Sequence, residues 1–504
     1  MKKITIDVVC ITVVMCILTL FSTSCEEPEQ TITPGTSTPT TVEGLHVPDV
    51  SGDYYDYRAT GKPERPYMIP YHKSMLMKIY MADPELGVDA NGNTCTVNTY
   101  ARMTYTDVIK NIAKLDALSR GMHKVIYLVG WQYNGHDDGY PAFYVFNSAL
   151  TGGEGATAKE SFLNIQKKAM EEYNTSLSVH INLNNARSDS REWGLYVRND
   201  LLCKKEDGSF YKWGDILKLP NNQVNFVNEW NKGFTARRID KVTELCNLTY
   251  VKTVHIDAFQ PHASDYHGYS RTDAEAIMRK IIRYWRDKGV DVTTEFFKGH
   301  TRTDMLIGLS PASWWNELNP GERLSIGPEL ACSGEAGTCE GANDYNDWGF
   351  LFGETPHGEP YLTKSPDFVK FKHEFCTMAV PFVYLNSHKA LSYADNKVKY
   401  SDGLETNWTT KTITKNGKII RKNNDIFMPA LWIEDHKEII AYSELGYSSY
   451  TWSMPEGWED VKSVQMWDVT TDGLKNAKTA DVRDGTLTLT LSKGQMLSIQ
   501  PKNN

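Results

Sequence analysis

The 504-residue chain carries none of the compact motifs that mark the commoner chemistries. It has no Gly-rich phosphate loop, no Gly-x-Ser-x-Gly elbow and no His-Glu-x-x-His pair, so those nucleotide, acyl-transfer and zinc-peptidase mechanisms lack their residues. No Cys-x-x-Cys spacing occurs, which disfavours a zinc ribbon. Excess positive charge is also missing. The net charge is −9, so the electrostatic footprint of a nucleic-acid binder is absent and no such partner is expected. The apolar run from Ile4 to Phe21 is short for a membrane span.

That run instead reads as an address. Lys2 and Lys3 precede it, and Ser22-Thr23-Ser24-Cys25 follows it in the manner of a lipoprotein cleavage box, although Ser22 stands where a larger apolar residue is usual. Cleavage before Cys25 leaves 480 residues and changes the net charge to −10. A lipid on Cys25 would make the membrane a partner through the anchor alone. Glu26, Glu27 and Glu29 resemble an acidic signal for the cell exterior, so an exported outer-membrane or cell-surface lipoprotein is expected, with periplasmic secretion as the alternative. Six cysteines remain beyond the anchor, an even number that permits disulfides in an oxidising compartment. Cys332 and Cys339, which flank a Gly-rich loop, are the favoured pair.

Aromatic residues make up 11% of the chain, with 13 Trp and 27 Tyr. This suits carbohydrate binding, because sugar C–H faces stack on flat rings that also carry a polar handle. An aromatic-rich core is the bland alternative.

Four regions follow from texture: a signal over 1–24, a Thr/Pro/Glu-rich tether over 25–44, a catalytic α/β region over 45–405 with a lead-in, and a β-domain over 406–504. Helical patterns at Thr104–Arg120, Ala156–Tyr173, Phe234–Cys246 and Ser270–Lys288 alternate with strand patterns at Lys124–Trp131, Ser176–Asn182, Val251–Asp257 and Val290–Glu295. This alternation predicts βα units on a parallel sheet, and their number favours a (β/α)8 TIM-type barrel. Ile413–Arg421, Glu438–Glu444, Val461–Asp468 and Thr486–Ile499 alternate as strands of a C-terminal antiparallel β-sandwich.

Strand parity then locates chemistry. Residues two apart share a face. One face carries Thr253, His255 and Asp257; a second carries Asp291, Thr293 and Glu295; a third carries Ser178, His180 and Asn182. The intervening residues are largely apolar, which predicts that the polar faces point into the barrel and end at its C-terminal rim, where barrel active sites are built. Asp257 and Glu295 lie 38 residues apart with one helix between them. Adjacent strands would hold such carboxyls about 5 Å apart, the separation of a retaining glycosidase. Either residue alone reads equally as a salt-bridged strand end.

The loop Gly130–Pro141 is dense in sugar-binding side chains. Trp131 offers stacking there, and His136 and Asp137 offer hydroxyl contacts. Gln260 and His262 form a second rim loop, and Trp314 with Trp315 a possible platform or core pair. Nothing calls for a cofactor, and a structural calcium stays open.

At these residues the chain resembles the endo-α-N-acetylgalactosaminidase family, glycoside hydrolase family 101. The likeness is carried by Val125–Pro141, Ser178–Ala186 and Val254–Phe296. It implies a (β/α)8 barrel with β-domains that releases α-linked GalNAc or Galβ1-3GalNAc from mucin-type O-glycans with retention. It also implies a nucleophile at Asp257, an acid/base at Glu295 and sugar contacts from Gly135-His136-Asp137. The chain is too short for the extra carbohydrate-binding modules of well-known members. An exo-acting α-N-acetylgalactosaminidase or α-galactosidase, and a non-catalytic surface glycan-binding lipoprotein, stand as alternatives.

Overall fold

The computed structural model describes residues 44–54, 67–92, 94–216, 219–294, 311–313, 320–330 and 345–502. Six parallel strands form the first sheet: β1 (Met75–Tyr80), β2 (Lys124–Val129), β3 (Thr175–Asn182), β4 (Thr253–Asp257), β5 (Asp291–Thr294) and β6 (Pro311–Ser313). Their spatial order follows the chain, β1 to β6, and every pairing is parallel. The expected neighbours β4 and β5 pair directly, with Thr293 against His255 and Thr294 against Ile256. Closure of this sheet into an eight-stranded barrel is not seen among the described residues.

Helices cross between the strands, and local chemistry sets where they begin. Tyr105–Ser119, Ala158–Tyr173 and Arg271–Asp287 each start at a capping box: Thr104 with Asp107, Thr157 with Glu160, and Ser270 with Asp273. Each box satisfies two of the backbone N–H groups that a helix start leaves without partners. The first two end in left-handed residues, Arg120 and Asn174, which return the chain to the sheet.

Parity sorts the strands as expected. Ile126, Leu128, Leu177, Val179, Val254, Ile256 and Val292 join the main apolar core with the helices. Leu76, Val125 and Tyr127, of opposite parity, join a separate small cluster with Ile69 and Tyr71. On that inner side the Tyr127 and Tyr71 hydroxyls both meet Thr253 Oγ1, at 2.6 and 2.9 Å.

The chain then enters a ten-stranded antiparallel sheet that begins at Ala390–Ala394 and reaches Gln495–Pro501. Ala390–Ala394 and Lys397–Tyr400, within the expected 45–405 region, and Leu404–Asn407, across its end, pair within this sheet. Ile413–Arg421 is a hairpin, turning at the expected Asn416-Gly417, both at positive φ. Thr486–Ile499 likewise divides at Gly494. Its first half pairs with Tyr447–Ser453 as a two-stranded ribbon, and its second half joins the large sheet. Phe427, Ile439, Trp452, Leu487, Leu489 and Ile499 fill the layer between ribbon and sheet, giving a sandwich-like arrangement. The main core runs through both sheets. Arg120, at the end of the first helix, pairs with the buried Glu438 at 2.8 Å.

Cys95, Cys203, Cys246 and Cys376 are free thiols. Cys25, Cys332 and Cys339 lie outside the described residues, as do Glu295, Trp314 and Trp315.

Candidate active site

The C-terminal ends of β1 to β4 bring Tyr80, His180 and Asp257 together, and the loop after β2 adds His136 and Asp137. Asp257 closes β4 opposite Asn182. His180, two residues before the end of β3, reaches its carboxylate with Nε2 3.6 Å from Oδ1. His136 Nε2 stands 3.6 Å from Asp137 Oδ1. One ligand-type atom each from His136, His180 and Asp257 lies within 4.8 Å of the others.

A column of rings supports this cluster. Tyr127 contacts His255 at 5.2 Å between centroids, His255 contacts His180 at 5.1 Å, His180 contacts His136 at 5.5 Å, and His136 contacts Tyr80 at 5.2 Å. The column climbs from the inner cluster to the rim. At its top Tyr80 Oη donates to Asp83 Oδ1 at 2.7 Å and meets His136 Nδ1 at 3.1 Å. Because the phenol proton goes to Asp83, the His136 contact requires Nδ1 to carry the hydrogen. In the neutral ring Nε2 then keeps its lone pair, facing the cluster. Burial, followed by the bond to Asp83, pushes the Tyr80 phenol up and keeps it protonated.

The two carboxylates are tuned apart. Burial pushes Asp257 up, but His180, Lys78 and His136 outweigh it and hold the carboxyl well below its ordinary range. Asp137 is raised, first by burial and also by the charge of Asp257, against His136, His180 and Arg187. One partly buried carboxyl stays ionised beside a buried one that is driven toward its neutral form, a pattern that belongs to reacting sites.

Backbone geometry aims the loop. Asp137 sits at φ 57° and Gly135 at φ 137°. A Cβ on Gly135 would lie 2.6 Å from the carbonyl carbon of Asp83, so only glycine lets the loop press against the segment after β1. Arg187, almost fully buried, locks the arrangement. Its Nη1 donates to the Asp137 carbonyl at 3.1 Å and pairs with Asp138 Oδ1 at 3.0 Å, while Nη2 pairs with Asp189 at 2.6 Å.

Several expectations need correction. Trp131 is fully buried in the core and donates Nε1–H to the His180 carbonyl at 2.9 Å, so it braces β3 and offers no stacking face. His255 is fully buried one layer below the rim, with Nδ1 2.8 Å from Thr293 Oγ1, and therefore supports His180 rather than touching a ligand. The Asn182 side-chain oxygen accepts from the backbone N–H groups of Asn184 and Asn185 at 2.8 and 3.2 Å, which makes it a turn cap. His262 is buried on the loop after Asp257, and burial, followed by Arg271, lowers it to about 4. Gln260, on the same loop, is half-buried.

Residues the sequence reading passed over complete the site. Tyr80 and Lys78 lie on β1, whose nearly continuous apolar run carries no clear strand period; their shared parity with Leu76 is the signal that finds them. Lys78 is buried, and its charge acts on His255, Asp257 and Glu359. Glu359 pairs with His357 at 2.9 Å. Burial pushes Glu359 up, but His357, Lys78 and His180 outweigh it and hold it low. Arg187 had a signal too, as a lone cation between Asn184-Asn185 and Asp189 just after a strand.

Residues 89–319 match the family model Glyco_hydro_101, Endo-alpha-N-acetylgalactosaminidase. No curated protein matches the chain. Among solved structures it is similar to alpha-N-acetylgalactosaminidase NagBb from Bifidobacterium bifidum in its GalNAc complex, at 11% identity and a TM-score of 0.47 over 71% of this chain and 59% of that one. It is also similar to the GH36 alpha-galactosidase AgaA from Geobacillus stearothermophilus (10%, TM-score 0.37, 84% of this chain and 55% of that one) and to an alpha-amylase from Lactobacillus plantarum (11%, TM-score 0.38, 85% and 99%). The chain thus spans 59% of the length of the first of these, and all three TM-scores lie below 0.5, so assignment rests on the family model. Residues 89–319 thus resemble the endo-alpha-N-acetylgalactosaminidase family, glycoside hydrolase family 101, a family of glycosidases.

Proposed function

We propose that this protein is a retaining glycoside hydrolase that removes α-linked GalNAc or Galβ1-3GalNAc from mucin-type O-glycans, on a closed (β/α)8 barrel. Asp257 is the nucleophile and Glu295 the acid/base. The observation that carries the reading is Asp257 itself: a carboxylate at the C-terminal end of a parallel strand, held ionised beside His180, inside the segment matched to the family. The β4–β5 ladder supports the second role, because its last pair, Thr294 against Ile256, stops one position short of Glu295 and Asp257.

In this mechanism Asp257 attacks the anomeric carbon while Glu295 protonates the departing glycosidic oxygen. The resulting glycosyl ester is then opened by water, whose proton Glu295 takes. His136, with its Nε2 lone pair toward the pocket, accepts a hydrogen bond from a sugar hydroxyl. Asp137, whose buried Oδ1 has no hydrogen-bond partner within the protein, accepts from another sugar hydroxyl. Lys78 and His180 keep Asp257 anionic until attack.

Aryl α-GalNAc and aryl Galβ1-3-α-GalNAc test this directly. Wild-type protein is expected to hydrolyse at least one of them, and NMR should show the α-anomer as first product. Asp257→Asn and Glu295→Gln should each lower kcat/KM on the disaccharide or monosaccharide substrate by on the order of 10⁴-fold, about 5 kcal/mol. Full activity in either variant, or a first product of inverted configuration, rejects the assignment. Binding of both sugars without turnover supports a glycan-binding lipoprotein instead.

We further propose export with a lipid on Cys25. Cys25→Ser should then release the protein from the membrane fraction, and a variant that stays membrane-bound would contradict the anchor.

A further inference from the structure

The rim cluster has a donor set that a sugar pocket does not require. We propose that it is also a binding site for a borderline divalent cation of the first transition row, zinc foremost, held by His136, His180 and Asp257 with Asp137 as the fourth donor. The ion concerns the same pocket as the proposed hydrolase; only its inhibitory consequence rests on that reading.

Geometry comes first. The three principal donors already lie within 4.8 Å of one another. Zinc holds its ligands at about 2.0–2.2 Å in a tetrahedron, which sets donor–donor separations of about 3.4 Å. The separations His180 Nε2–Asp257 Oδ1 and His136 Nε2–Asp137 Oδ1 are both 3.6 Å. Both pairs already stand close to that value, and Asp137 borders the cluster through His136. Two imidazoles with two carboxylates suit zinc and its neighbours, whereas calcium and magnesium prefer oxygen throughout.

Two further observations point to a ligand. Asp137 Oδ1 is buried and has no hydrogen-bond partner. A buried carboxylate oxygen in that state is costly, and a cation would satisfy it. His136 is also already oriented as metal-binding histidines are. Asp83, acting through the Tyr80 hydroxyl, holds the hydrogen on Nδ1 and leaves Nε2 free to ligate. A carboxylate or hydroxyl behind the imidazole is the usual outer support of such a ligand. An ion so placed would engage the Asp257 lone pairs that attack on a sugar requires, so it would block turnover in competition with substrate.

The test uses the full chain in a Cys95→Ser background, which removes a half-buried thiol able to bind zinc elsewhere. After treatment with EDTA and buffer exchange, zinc is titrated calorimetrically and cobalt spectroscopically. One-to-one binding and the visible band of four-coordinate cobalt are expected. His136→Ala and Asp137→Asn should each weaken zinc at least about tenfold, and Tyr80→Phe by a smaller factor, with unchanged melting temperatures showing that the variants fold. Absence of a zinc isotherm and a cobalt band overturns the inference. So does binding that survives His136→Ala and Asp137→Asn, which would place the ion elsewhere. Aryl α-glycoside turnover separates the two readings. Binding with zinc-competitive inhibition supports both. Binding in a protein that hydrolyses none of the glycosides keeps the ion site and removes the hydrolase. Hydrolysis without ion binding does the reverse.

Discussion

Removing one oxygen atom, in Tyr80→Phe, tests how the rim histidine is set. Tyr80 Oη donates to Asp83 at 2.7 Å and accepts from His136 Nδ1 at 3.1 Å. Phenylalanine keeps the ring edge-on to His136 at 5.2 Å and beneath the Arg102 guanidinium at 4.6 Å, so packing is preserved. Asp83 retains its pair with Arg102 at 2.6 Å. What disappears is the acceptor that fixes the His136 tautomer. A hydrogen bond linked to a charged group contributes about 1.5–3 kcal/mol, and the half-exposed rim lets water replace part of it. A net loss of about 1–2 kcal/mol corresponds to a decrease of about 5- to 30-fold in kcat/KM on an aryl α-glycoside. The melting temperature should move by no more than about 1–2 °C, because ~1 kcal/mol shifts a domain of this size by roughly 1 °C. Nitrogen NMR of the imidazole gives a readout independent of turnover. Wild type should show Nδ1–H at His136, and the variant a mixture. A wild-type spectrum with hydrogen on Nε2, or a variant whose kcat/KM stays within about twofold, refutes the relay.

Two further expectations concern stability. Glu229 is fully buried and accepts from Arg238 at 2.6 Å, from Thr235 at 3.0 Å and from the Tyr196 hydroxyl, while Arg238 also donates to the Asn182 carbonyl at 3.3 Å. Glu229→Gln leaves that guanidinium buried without its counter-charge, at about 3–5 kcal/mol and therefore about 3–5 °C in Tm; a fall under 1 °C would contradict this. His123 lies between Ser74 Oγ at 2.7 Å and Ser176 Oγ at 3.2 Å, and burial, followed by Lys124, lowers it to about 4. Its folded pKa lies below the ordinary 6.5, so the folded state takes up its proton later than the unfolded chain. Stability is then present above pH 6.5 and lost as pH falls toward 4, by up to about 3 kcal/mol. His72 and His262 act in the same direction. His123→Asn should flatten, but not abolish, the fall in Tm between pH 6.5 and 4.5, and an unaltered slope would remove His123 as a cause.

Period-two alternation was legible because burial under helices demands it. Val179, Ile181, Val254 and Ile256 face outward and His180, His255 and Asp257 inward, as their spacing requires. Parity fixes a face but not a height. Each residue rises about 3.3 Å along its strand, so His255 sits roughly 7 Å below Asp257 and is closed off, while His180 regains one layer through side-chain reach. Trp131 was misjudged for a related reason: a ring just past a strand can turn to the rim or the core, and a carbonyl partner 49 residues away decided it. β1 escaped because Met75–Tyr80 is nearly continuous in apolar residues, which blurs its period; burial on both faces is what such a run encodes. Arg187 draws its meaning from Asp138 and Asp189, and only the folded loop brings the first of these within reach.

The column of rings from Tyr127 to Tyr80 has a mechanical consequence. Each ring's tilt is confined by the next, so none of the three histidines can swing aside without displacing its neighbours. The shape that greets an incoming molecule is therefore decided during folding, by how deep residues stack inside the sheet. Selectivity at the mouth is inherited from the interior.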